Sequence, residues 1–113
     1  MNKEQKFLIN WMSDIQEEIH YYEYASVTIL HEMLSSGISV LPATAQMIYD
    51  FSNECFMAQL ELVQVMDLNH KNSVKYGQTV ADKLEIKHSF LMNILRDIRI
   101  SHRMSSICES VLE

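Results

Sequence analysis

The sequence predicts an all-α protein: an antiparallel bundle of three long helices, or four if one kinks, with dimerisation expected to complete it. Three observations carry this. Apolar residues recur at alternating steps of four and three through three separate stretches, the period of a helix that buries one side. Helix breakers are scarce, with two Gly and one Pro in 113 residues. No stretch alternates as a strand must, and β-branched pieces such as Ile38-Ser39-Val40 are too short.

The first helical segment is expected over Lys3 to Leu34. Its seam is Leu8, Met12, Ile15, Ile19, Tyr22, Ser26, Ile29 and Met33. Ser35-Ser-Gly-Ile-Ser-Val-Leu-Pro42 then breaks it. Gly37 is the expected C-terminal cap, and Pro42 suits the first turn of the next helix.

The second segment starts at Pro42 and ends near Asn69 or as late as Tyr76. Ile48, Phe51, Cys55, Ala58, Leu62 and Val65 form one stripe. Tyr49, Phe56, Leu60 and Val63 form a second, turned a quarter turn or more away. A helix apolar on two sides is central in a core or covered by another chain, so this second stripe is the expected dimer or partner interface.

Polar residues follow, with Gly77 as the expected stop. Thr79-Val-Ala-Asp82 has capping-box form, with Asp in the usual place of Glu. The third segment is expected over Val80 to Leu112. Its stripe is Leu84, His88, Leu91, Leu95, Ile98 and His102. Two histidines stand there where apolar residues are the norm.

Residues 1–113 read as one domain. A chain of this size buries roughly two-thirds of its unfolded surface. Apolar residues are 48% and charged residues 21%, too apolar for disorder. The first residues lack the apolar run of a signal peptide, and no apolar run reaches the roughly 18 residues of a membrane helix. A cytoplasmic protein without membrane contact is the expectation. Cys55 falls in an apolar stripe, and neither it nor Cys108 has metal-binding spacing, so a reduced thiol is expected rather than a disulfide.

The net charge of −6 is divided unevenly. No Lys or Arg occurs between Phe7 and His70, a stretch holding nine carboxylates. From Lys71 to Arg103 the sign reverses. Such asymmetry bears on partners. An acidic protein with few clustered arginines is not expected to bind nucleic acid. It suits a non-enzymatic module that binds a basic protein, such as an inhibitor or immunity protein, a chaperone or a regulator. Glu17, Glu18, Tyr21, Glu23 and Tyr24 are its expected contact residues, since carboxylates steer and tyrosines anchor. No cofactor is called for.

Two stretches hold alternative chemistry. Arg96-Asp-Ile-Arg-Ile-Ser-His102 resembles the motif of the HEPN ribonuclease superfamily: an Arg, a polar residue beside it, and a His a few residues on. The resemblance implies a small helical bundle, commonly dimeric, that cuts RNA without a metal. It would give His102 the role of general acid or base and Arg96 that of phosphate holder. Read from the residues alone, the stretch is a basic face beside a half-buried His102 on the apolar stripe, and the ribonuclease is the alternative.

The second stretch is a pair. Glu17 with His20, and Glu85 with His88, both have the E-x-x-H spacing that ferritin-like di-metal bundles use. Glu54 and Glu61 would complete a site with Glu85 and His88. Bundle ligands must all project inward, and Glu17 and His20 lie off the first seam, so a solvated acidic face is the stronger expectation.

Overall fold

The structure is a computed structural model that describes residues 2–65 and 70–112. It contains three helices and, among the described residues, no strand: α1 (Lys3–Ser35), α2 (Pro42–Val65) and α3 (His70–Leu112). The molecule is a rod of 70 × 22 × 19 Å.

Both ends of α1 are fixed by local chemistry. The Asn2 side chain accepts a bond from the Gln5 amide at 2.8 Å, and the Gln5 side chain accepts from the Asn2 amide at 3.0 Å. This reciprocal box satisfies two amides that a helix start leaves unpaired. At the other end Gly37 takes φ 81°, which a residue with a Cβ rarely adopts. The Ile38 amide then bonds back to the Met33 carbonyl at 3.0 Å, and the Gly37 amide to that of Leu34 at 3.1 Å. Ile38 and Met33 are both buried, so the cap also closes an apolar contact. Pro42 opens α2 as expected, with the Ala45 amide bonded to the Leu41 carbonyl.

The core follows the periodicity with one drift. Met12, Ile15, Ile19, Tyr22, Ser26 and Met33 are buried, but Leu30 is fully buried where Ile29 was expected, and Ile29 is only partly covered. A straight helix gains about 20° per heptad on a strict 3.5-residue seam. By the last turns of α1, position 30 has rotated inward as position 29 leaves. Ile48, Phe51, Cys55, Ala58 and Leu62 bury the first stripe of α2 as expected, while the side chain of Val65 lies outside those described.

α1 is the central element. It packs along both α2 and α3, while those two meet each other over a much shorter stretch. On the side away from α1 the α2–α3 groove is bridged by Lys87 Nζ, 2.7 and 2.9 Å from the two carboxylate oxygens of Glu54. Tyr76 also donates to Glu61 across it, at 3.2 Å.

The third segment corrects the sequence reading. α2 is described to Val65, and the expected end near Asn69 lies outside the described residues. α3 begins at His70, ten residues before Val80, and runs straight through Gly77 and Thr79. Thr79 is no N-cap, since its hydroxyl bonds back to the Lys75 carbonyl at 2.9 Å inside the helix. Gly77 is no stop. It is buried where α3 meets Trp11, and a Cβ there would stand 2.4 Å from Cη2 of the indole. The glycine lets two helices approach closely, a role its sequence neighbours do not reveal.

At its far end α3 outruns the bundle. Ile94, Asp97, Ile98, Ser101, His102 and Ser105 still face the α1–α2 turn. Beyond that level α1 and α2 have ended. Every described side chain from Arg99 to Val111 is exposed, His102 included, which corrects the expectation of a half-buried histidine.

The contact at Gly77 gives a test with the chain's one tryptophan as reporter. Gly77→Ala gains about 1 kcal/mol of helix propensity but must displace the indole. The expected outcome is a red-shifted tryptophan emission and a lower Tm. In a Trp11→Leu background the same change should raise Tm, because the propensity gain then stands unopposed.

Candidate functional site

The broadest candidate is the outer face shared by α1 and α2. The two helices are pinned by polar contacts along this edge. Gln59 donates to the Glu23 carboxylate at 2.7 Å, and His31 Nε2 and the Tyr49 hydroxyl are 2.7 Å apart. Outside these contacts Tyr49, Phe56, Leu60 and Val63 are 43 to 54% exposed. Their spacing keeps them on one side of α2. Tyr24 extends the face onto α1, with its ring edge-on to His20 at 4.6 Å. Five half-exposed side chains of this size make a patch on the order of several hundred Å², as large as the largest on ordinary monomers.

Of the expected contact residues, Glu17, Tyr21 and Tyr24 are exposed. Glu18 is half-buried and accepts a 2.5 Å bond from the Tyr22 hydroxyl. Burial and that carboxylate push the Tyr22 hydroxyl well above the usual phenol range. Glu23 corrects the reading: it is only 8% exposed. Its carboxylate is held by Gln59, with His20 Nδ1 at 3.6 Å, so it ties α1 to α2 and is not free to meet a partner. Sequence periodicity could not find this, because Gln59 lies 36 positions from Glu23 and each looks like a surface residue by itself.

His88 is the second candidate. It is buried among rings, with those of Tyr22 at 4.8 Å, Tyr21 at 5.6 Å and Phe51 at 6.4 Å. Its Nδ1 is buried without a hydrogen-bond partner. Burial lowers its pKa from the ordinary histidine value, so the ring is neutral. The di-metal alternative is not assembled around it. Glu54 is committed to Lys87, Glu61 accepts from Tyr76, and Glu85 is exposed. Among the described residues no group of three or more His, Cys, Asp or Glu side chains is placed to hold a metal.

The third candidate is the cleft of about 670 Å³ between the α1–α2 turn and α3. His102 and Asp97 line it, but Arg96 does not. Six residues along a continuous helix turn Arg96 about 120° away from His102. Arg96 instead lies 3.6 Å from its neighbour Asp97. Within one copy the pair singled out by the ribonuclease motif does not converge on a common point.

Cys55 is fully buried, and burial raises its thiol pKa to about 12, so it is inert. Cys108 is exposed. No described helix is long and apolar enough to cross a membrane. No protein family, curated protein or solved structure matches the chain.

The buried histidine sets a pH dependence. Its folded pKa is depressed, so the unfolded state takes up the proton first, and stability rises with pH across that interval. The contribution is complete above the unfolded value of about 6.5 and is lost as pH falls below it. Thermal melts of the wild type should drop in Tm between pH 7 and 5. His88→Leu should flatten that slope while keeping the fold, since it also removes the unpaired nitrogen. An unchanged slope would show that His88 does not set the pH dependence.

Proposed function

We propose that this chain is a non-enzymatic binding module whose α1–α2 face holds a basic protein. The class is that of an inhibitor or immunity protein, a chaperone or a regulator. One observation carries the reading. Tyr24, Tyr49, Phe56, Leu60 and Val63 form an exposed apolar face on helices that have no Lys or Arg from Phe7 to Val65. An apolar centre supplies affinity once water is expelled, and the carboxylates around it attract an oppositely charged partner and select against acidic ones. Glu17 lies beside Tyr24 on α1, exposed and unneutralised by any described cation, so it remains available for steering.

Native mass spectrometry of the chain drawn from its own cell is expected to find a basic protein bound in simple stoichiometry. With that protein in hand, Phe56→Ala should weaken binding about tenfold or more, as truncating a central aromatic anchor does. Glu17→Lys should slow association a few-fold at low salt, with the difference vanishing as salt screens it. Glu23 is left out of the charge reversals because it holds α1 to α2. Equal binding by wild type and Phe56→Ala would reject the face.

A further inference from the structure

The projecting end of α3 is built to be covered, and not by its own bundle. Up to Ile98 the apolar stripe of α3 faces α1 and α2, with Leu84, Leu91 and Leu95 buried. If that stripe continued, the positions next in line would be His102, Ser105, Ser106 and Glu109, all polar and all exposed. The apolar residues instead move to the opposite side. Ile100, Met104, Ile107 and Val111 follow one another by four, three and four residues and are 52 to 80% exposed. This is a seam of the kind one helix offers another. Because it points away from the bundle axis, no extension of α1 or α2 would bury it.

The borders of the seam identify what fits it. Arg96 and Arg103 run along one side, with Arg99 next to them, and all three are exposed. Arg99 and Arg103 form no ion pair with a described residue, and Arg96 is paired only with its neighbour Asp97. Two such ends facing each other would bring arginine to arginine, which opposes pairing. The complement is an apolar face bordered by carboxylates without lysine or arginine. The chain has an apolar face without lysine or arginine on α1 and α2, with the exposed Glu17 carboxylate beside Tyr24.

We infer that the projecting end of α3 seats on the α1–α2 face of a second copy, with Ile100, Met104, Ile107 and Val111 against the exposed stripe of α2. A seam of this length covers less than the roughly 1,600 Å² of a standard interface, so a single contact forms a weak complex. Exchange in both directions about a two-fold axis doubles the covered area and closes the assembly at two copies. The inference rests on the α1–α2 face being a docking face, and it makes self-association a competitor of the basic partner for that face.

Purified full-length chain alone tests it, with no partner present. Light scattering should give a dimer that dissociates as salt is raised. Ile107→Asp on the seam and Phe56→Asp on the face change exposed side chains, so each should stay helical yet become monomeric. Mixing the two variants is the decisive arm. One keeps a working face and the other a working seam, so a 1:1 heterodimer should return, more weakly bound than the wild type. The exposed thiol gives an independent map, since a photo-crosslinker placed on Cys108 leaves buried Cys55 unlabelled. Intermolecular crosslinks should fall on α2.

A monomeric wild type overturns the inference, as does a dimer whose mixed variants fail to pair. Crosslinks from Cys108 to the partner copy's own 96–112 stretch overturn it as well. A monomer that still binds a basic protein through Phe56 would discard self-association and leave the proposed function standing.

Discussion

The structure depends on α1 being buried from two sides at once. α2 and α3 make little contact with each other, so neither has a core without α1 between them. One helix must therefore present a seam wide enough for two neighbours. It does so with Met12, Ile19 and Leu30 on its centre line, none of them accessible to solvent. The two edges then divide the labour. Toward α2 the edge is polar and specific, with Glu23 bound to Gln59 and His31 to Tyr49. Toward α3 it is aromatic, with Trp11 over Gly77 and Tyr22 over His88. Apolar burial is nearly indifferent to register, whereas a buried carboxylate left without its donor is expensive. The polar edge thus fixes how α2 slides along α1, and the close approach at Gly77 does the same for α3.

This division also explains what could be read in advance. The three amphipathic segments, the cap at Gly37, the start at Pro42 and the buried thiol of Cys55 are local or periodic features, and periodicity is visible in a single chain. The readings that went astray depend on pairs distant in sequence. Gly77 looks like a terminator because glycine weakens helices, and only Trp11, 66 positions earlier, explains why a glycine is needed. Glu23 looks like one more surface charge until Gln59 is set opposite it. His102 has the spacing of a core residue, but a stripe is a core only where another helix lies across it, and α1 and α2 end before His102 is reached. Helix length, which no local signal on α1 or α2 sets for α3, decides that case. The candidate face itself was legible: the second stripe of α2 was visible as apolar, and the absence of basic residues around it is a matter of counting.

Charge placement links the fold to association. Acidic and basic halves of one chain would be expected to neutralise each other on folding. Here, among the described residues, the cross-helix ion pair with a lysine or arginine is Lys87 with Glu54, and it lies in the α2–α3 groove, away from the α1–α2 face. Arg99 and Arg103 sit where α3 has outrun its neighbours, so the geometry that strands the apolar seam strands positive charge with it. Glu17 on α1 is left likewise unopposed, whereas Glu54 is held by Lys87 and Glu23 by Gln59. A rod with a negative apolar flank and a positive apolar tip is complementary to itself at low salt.

Such a rod need not saturate itself for the complementarity to matter. On the inferred self-association, a weak contact with its own tip would keep the apolar flank from collecting unrelated proteins, because an intruder would have to displace the tip as well as bind. A basic partner with deeper aromatic anchors would win that competition, since hydrophobic contact area at the centre of an interface contributes more than exposed ion pairs do. Salt separates the two contacts physically. The inferred tip contact would rely on arginines flanking a short seam, whose attraction is screened beyond a Debye length of about 8 Å at physiological ionic strength, whereas the proposed partner burying Phe56 and Leu60 would retain most of its affinity. The same unneutralised charge that would draw one copy to another would therefore make the inferred contact reversible by salt.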